Sequence, residues 1–150
     1  GGKSEVMNVI GGGSVAHAGT FGGNGVSMSA ANAVLDILNE APVLKELSIR
    51  GQKLKKGMDK ILDEVGIPHQ MCGHPNIQGF LITEHKVEEV RDLAYSDDAM
   101  YEKIMDHMFD RGVWVENDPR EPWFLCAAHT DEIIEETLNV FHDSVKASLK

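Results

Sequence analysis

An α+β fold, a small and mostly antiparallel sheet with helices packed on one face, is what this sequence predicts. Three features lead to it. Long stretches carry apolar residues at helical spacing, short apolar runs of strand length lie between them, and the connections are short enough to make successive elements neighbours. The predicted order is helix, helix, strand, strand, helix, strand, strand, helix.

Each element has a local reason. Gly11, Gly12, Gly13, Gly19, Gly22, Gly23 and Gly25 crowd the first 25 residues, which predicts loop there. After Asn24, the residues Ala30, Ala31, Val34, Leu35 and Leu38 predict a helix over 25–40, interrupted at Pro42. From Val43 a longer helix keeps Leu47, Leu54, Met58, Ile61 and Leu62 on one face until Gly66-Ile67-Pro68 stops it. Gln70 to Gly73 and Ile77 to Thr83 read as an antiparallel strand pair around the turn His74-Pro75-Asn76. Ser96 is the expected N-cap of the next helix, with Asp97 and Asp98 in its first turn and Tyr101, Ile104, Met105 and Met108 on its buried face. Gly112 stops it. Val113-Trp114-Val115 and Trp123 to Cys126 read as two further strands around a proline-containing turn. Thr130 caps a last helix through Ile134, Leu138, Phe141 and Val145.

Composition bounds the function. A formal charge of -10, with 24 acids against 14 Lys and Arg, argues against nucleic acid and against an anionic membrane surface. No apolar run approaches the roughly 20 residues that span a bilayer, and the start lacks a signal-peptide core. A cytoplasmic protein is expected. Cys72 and Cys126 are too few for a disulfide scaffold and are expected to be reduced, structural thiols.

The stretch His17-Ala18-Gly19-Thr20-Phe21-Gly22-Gly23-Asn24-Gly25 carries the chemistry. Glycine lets backbone N–H groups approach a ligand, Thr20 adds a hydroxyl donor, and a helix N-terminus follows, so an anion such as phosphate suits the segment. A plain glycine-rich linker fits the same residues. Other signals are weaker. Gly2-Lys3-Ser4 looks like the end of a nucleotide loop but lacks the upstream glycine. His69, Cys72 and His74 could ligate zinc, but a closed site needs a fourth ligand, and strand and turn roles suit them better. His129 fits a packing role with one ring nitrogen bonded to backbone, and the acids of the last helix, Asp131, Glu132, Glu135 and Glu136, fit a solvated face.

The run HAGTFGGN followed by a small-residue helix resembles the signature of class-III aminotransferases and, most closely, glutamate-1-semialdehyde aminomutases. Two further blocks agree: Gly1 to Met7, and Asp110-Arg111-Gly112-Val113 with the later run Glu121 to Thr130. The resemblance implies a C-terminal part of a pyridoxal 5'-phosphate (PLP) enzyme of the aspartate-aminotransferase-like fold. Residues 1–40 would be a strip of the large cofactor-binding domain, with the phosphate loop at 17–25, and 41–150 the small C-terminal domain. Thr20, with the Gly19 and Phe21 backbone, matches the position that binds the cofactor phosphate from the neighbouring subunit of a homodimer. Glu121 matches an acid at the substrate end, where many aminotransferases carry an arginine, and Arg120 stands beside it. Gly25 replaces the family's proline after the motif's asparagine.

The family's Schiff-base lysine and pyridine-pairing aspartate lie upstream of these blocks, and Lys3 matches a surface position rather than that lysine. The chain alone is therefore expected to be inactive, with weak or no PLP binding, and to need its missing N-terminal portion. The implied substrate is a small amino acid or amino-aldehyde. The alternative is a stand-alone dimerising or regulatory module of the same fold without catalysis.

Overall fold

The structure is a computed structural model that describes residues 2–150. Backbone contacts divide it into a first unit ending at Ala41 and a second unit, Pro42–Lys150.

The first unit holds α1 (Ser4–Gly11), the glycine-rich loop and α2 (Gly25–Glu40), and neither helix has a buried residue. The expectation of loop throughout the first 25 residues is corrected by α1. The run Glu5 to Ile10 contains no glycine, so a short helix forms, and the glycines only terminate it: Gly12 N–H donates to Asn8 O and Gly13 takes φ 75°. Asn24 caps α2, its Oδ1 accepting from Val26 N at 3.1 Å and Ser27 N at 3.2 Å.

In the second unit α3 (Val43–Val65) follows Pro42 at its N-cap position, and Gly66, with φ 74°, ends it in the left-handed conformation that a side chain would strain. Two strands come next, β1 (His69–His74) and β2 (Ile77–Ile82), antiparallel with His69 opposite Ile82 and His74 opposite Ile77. A 3-10 helix over Val90–Tyr95 leads to α4 (Asp98–Phe109), then β3 (Trp123–Phe124) and α5 (Asp131–Ser148). Sheet order is β1-β2-β3, antiparallel throughout.

Strand β2 is central because alternate side chains, Gln78, Phe80 and Ile82, are all buried and meet the helices. The Phe80 ring lies 5.1 Å from Tyr101 of α4 and 5.5 Å from Phe141 of α5, with Trp123 of β3 at 6.3 Å. Met58 and Leu62 of α3, Ile104 and Met108 of α4, and Ile134 and Val145 of α5 belong to the same core. Gln78 is polar but fully buried, and its Nε2 donates to Gly51 O at 3.0 Å and Pro75 O at 2.9 Å. That amide ties α3 to the β1–β2 turn. Lys55 of α3 reaches β1, where its ammonium donates to Cys72 O at 3.1 Å and Gly73 O at 2.6 Å.

Several sequence expectations are corrected in detail. The cap of α4 is Asp97, whose Oδ1 accepts from Met100 N at 3.0 Å, whereas Ser96 closes the preceding 3-10 helix and leaves its buried hydroxyl unbonded among the described residues. Among the described residues Val113-Trp114-Val115 pairs with no strand: Val113 N–H is taken by Met108 O and the Tyr101 hydroxyl donates to Glu116 O, so helix closure and a side-chain bond claim the two ends of the segment. The strand expected over Trp123 to Cys126 is confined to Trp123–Phe124. Cys126 is exposed rather than packed. Two acids of α5 do find partners on α3, Asp131 with Arg50 and Glu135 with Lys53, although all four side chains keep substantial solvent contact.

Packing at Gly51 leaves no room for a side chain, since a Cβ there would sit 2.2 Å from Pro75 O. Gly51→Ala is expected to lower the unfolding free energy by about 1–3 kcal/mol, from overpacking against backbone, as read by urea denaturation. Burial pushes the Tyr101 phenol up to about 12, with the Asp118 and Glu116 charges adding to the rise and the Trp123 hydrogen bond opposing it. A raised native value means that the stabilising share of neutral Tyr101 is intact below about pH 10, the unfolded value, and is lost as pH climbs toward the native one. Denaturation series across that range are expected to show falling stability in the natural chain and a shallower fall in Tyr101→Phe.

Candidate functional site

The phosphate-loop candidates Gly19, Thr20 and Phe21 share one turn, closed by Gly22 N–H donating to Gly19 O at 3.0 Å. Asn24 takes two of the first-turn donors of α2, so the helix end itself has little left to offer an anion. The loop has more. Among the described residues, no protein partner takes the N–H groups of Thr20 and Phe21 or the Thr20 hydroxyl, and the Phe21 side chain is exposed. Unfilled donors on an exposed turn suit an anion. Lys3 sits exposed at the N-cap position of α1 and makes no capping bond.

The other candidates, Arg120 and Glu121, belong to the second unit, in the turn that joins the 113–116 segment to β3. They line a cavity of about 400 Å3 on the sheet face opposite the helices, with Gly79 and Leu81 of β2 among its floor residues. Gln70 of β1 builds one wall. Its side-chain amide donates to Val87 O and accepts from Val87 N, both at 2.9 Å, and so brackets the 87–93 segment over the sheet. The capping box of the 3-10 helix, in which Asp92 accepts from the N–H groups of Glu88 and Glu89, firms that segment further. These backbone hydrogen bonds hold the Asp92 carboxyl below the usual range.

Sequence reasoning missed Asp118. Its carboxylate faces the Arg120 guanidinium in a two-pronged pair, Nε donating at 2.6 Å and an Nη at 2.9 Å, and it also accepts from Arg120 N at 2.9 Å. The Arg120 hydrogen bonds hold Asp118 below the ordinary carboxylate value, and Asp118 in return raises Arg120. The Asp-Pro-Arg spacing over 118–120 was the available signal, since an acid two residues before an arginine across a turn proline brings the groups together. Glu121 makes no such side-chain pair among the described residues.

The remaining sequence candidates have structural roles. His69 has both ring nitrogens occupied, by Ile67 O at 2.9 Å and Asp59 at 3.0 Å, and no three His, Cys, Asp or Glu groups among the described residues cluster for a metal. His129 Nδ1 meets Cys126 N at 2.9 Å. No described helix is long and apolar enough to cross a membrane.

Comparison with known proteins bears on this arrangement. The family model described as aminotransferase class-III matches residues 1–144. Glutamate-1-semialdehyde 2,1-aminomutase of Aquifex aeolicus is 33% identical over 147 residues, covering 97% of this chain and 35% of that protein. The protein of the same name from Thermus thermophilus is 30% identical over 146 residues, covering 96% and 34%. Among solved structures, an omega-transaminase from Sphaerobacter thermophilus aligns over 100% of this chain and 35% of its own, at TM-score 0.80 and 21% identity. The PLP internal aldimine form of the FumI protein of Sphingopyxis sp. MTA144 aligns over 90% and 30%, at TM-score 0.73 and 24% identity. The chain thus spans about a third of the length of the curated relatives it matches. With a family model covering nearly all of its residues and the fold shared with solved transaminases, the chain belongs to the class-III aminotransferase family.

Proposed function

We propose that these residues are the C-terminal part of a PLP-dependent aminotransferase or aminomutase acting on a small amino acid or amino-aldehyde in the cytoplasm. In this reading, residues 1–40 are a strip of the large cofactor-binding domain and 41–150 the small domain. The observation that carries the proposal is the turn at Gly19, Thr20 and Phe21, which holds three donors that no described protein group uses. Thr20 and the loop N–H groups bind the cofactor phosphate, and they do so for the neighbouring subunit of a homodimer. Arg120 and Glu121 form a wall of the substrate end. PLP, when bound, supplies an electron sink that makes amino exchange possible. The chain's own part is to orient: a phosphate fixed by directed donors fixes where the rest of the cofactor lies.

A second reading, a dimerising or regulatory module without catalysis, draws support from α2. Val26 is 80% exposed and Ile37 57%, on a helix with no buried residue, and such a face calls for cover. Cover by a catalytic domain and cover by another copy are separated by activity and by cofactor binding.

In this reading the family's Schiff-base lysine and pyridine-pairing aspartate lie upstream of the matched blocks, so the chain by itself is expected to show no transaminase turnover with PLP and an amino donor. Borohydride reduction followed by peptide mass mapping is expected to label no lysine stoichiometrically. Turnover by the purified chain, or a full label on Lys3, would sink the reading of this chain as a dependent part. In titrations of the chain with inorganic phosphate followed by amide NMR, the shifts are expected to centre on Thr20 and Phe21. Thr20→Val, which keeps the branched shape and removes the hydroxyl, is expected to weaken that binding about 10-fold.

A further inference from the structure

Two surfaces of the second unit carry unpaired charge on apolar ground, and the charges are opposite. The first lies where α4, the 113–116 segment and α5 come together. Trp114, 84% exposed, lines two clefts there, one of about 500 Å3 shared with Phe124 and Ile133 and one of about 160 Å3 shared with Phe109. Besides His129, the titratable groups lining these clefts are the carboxylates of Asp106, Glu116 and Glu136. None of the three has a basic partner among the described residues, and no Lys or Arg lines either cleft. An exposed indole among uncompensated acids suits an ammonium carried on an apolar surface, because the ring face and the carboxylates both attract it.

The second surface is a face of α3. Lys45, Ile49, Gln52 and Lys56 follow one another at helical spacing and so form a stripe about 16 Å long, beside Pro75 of the β1–β2 turn. Ile49 is 62% exposed, and no acid lines this shallow groove. Lys53 at its margin is held by Glu135, but Lys45 and Lys56 pair with no acid among the described residues. In a chain of formal charge -10, that leaves scarce positive charge concentrated around one apolar residue. Within one chain the stripe cannot reach the Trp114 clefts, because Leu54, Met58 and Leu62 fix α3 in the core by another face.

We infer that the α3 stripe of one copy of this chain docks on the Trp114 surface of a second copy, with Ile49 against the indole and Lys45 and Lys56 facing the carboxylates. Charge complementarity selects the occupant: each surface presents what the other lacks, and both belong to the same chain. The contact joins unlike faces, so each pair of copies still has one free surface of each kind and association runs past two chains unless a ring closes. It uses no residue of the glycine-rich loop and is separate from the subunit pairing proposed for the cofactor phosphate. Its charges are exposed, which makes the contact weak and sensitive to salt.

Sedimentation equilibrium of the whole chain tests this. At low salt the average mass is expected to rise with concentration, and high salt is expected to lower the association constant about 10-fold. Two double variants, Lys45→Glu with Lys56→Glu and Glu116→Lys with Glu136→Lys, are each expected to weaken association by about 10-fold or more, because attraction becomes repulsion. Mixed in equal amounts they are expected to associate again, to within about 3-fold of the natural chain, since the reversed stripe then meets the reversed cleft. Both variants remain net negative, so overall charge does not draw them together, and loss of local structure would not be repaired by mixing. A natural chain that stays monomeric at millimolar concentration, undiminished association in either variant alone, or a mixture that stays apart overturns the inference. Association that survives in both variants belongs to another surface, such as the exposed face of α2.

Discussion

A single hydrogen-bonded relay holds the second unit's irregular half in place. The indole N–H of Trp123 donates to the Tyr101 hydroxyl at 3.1 Å, and that hydroxyl donates to Glu116 O at 3.3 Å. Both side chains are buried, Tyr101 almost completely, so neither polar atom has water to fall back on and each depends on the other. Through the relay, α4, β3 and the start of the 116–122 turn become one object. Because Phe80 packs against both rings, the same object is anchored to the central strand.

The cavity inherits its shape from that anchor. The turn carrying Asp118, Arg120 and Glu121 contains two prolines and only one residue, Pro119, that is buried, so little of its own packing would define it. Its ends are defined instead by Glu116, tied to Tyr101, and by Trp123, wedged into the core. On the opposite wall, Gln70 performs the equivalent task with a side-chain amide that imitates a strand partner for Val87. Two irregular segments are thus fixed by buried or half-buried polar groups rather than by ladders. Arg120 and Glu121 accordingly line a pocket whose walls are held by the protein's own hydrogen bonds.

Much of this is legible in the residues. The helical spacing of Leu47, Leu54, Met58 and Leu62, with Gly66 behind it, marks α3 nearly to the residue, and the His74-Pro75-Asn76 turn gives the hairpin. Aliphatic periodicity and glycine are local signals, and they are read where they act. The 113–115 segment defeats such reading because Val-Trp-Val states a preference for strand geometry but not whether a partner is free. Here the closing hydrogen bonds of α4 and the Tyr101 hydroxyl reach it first. The cap of α4 lies one residue beyond Ser96 because Ser96 and Asp97 are both good caps, and the choice depends on where the 3-10 helix ends. At the candidate site, the type of residue at Arg120 and Glu121 is visible, but the partnership with Asp118 is not, since it depends on which way a turn folds two charged side chains. For the glycine loop, the sequence marks the donors, and the structure adds that Asn24 has already spoken for the helix end.

Lys55 has a consequence beyond joining α3 to the hairpin. Strand β1 is an edge of the sheet, six residues long and without a β-branched residue, the kind of border on which a foreign strand can add itself. An ammonium seated on the carbonyls of Cys72 and Gly73 puts a desolvation cost and a misplaced charge in the way of any such addition. With Gln70 binding Val87 further along the same strand, the border is guarded at two points. In a described sheet of three strands, that edge is thereby made a poorer template for a further strand.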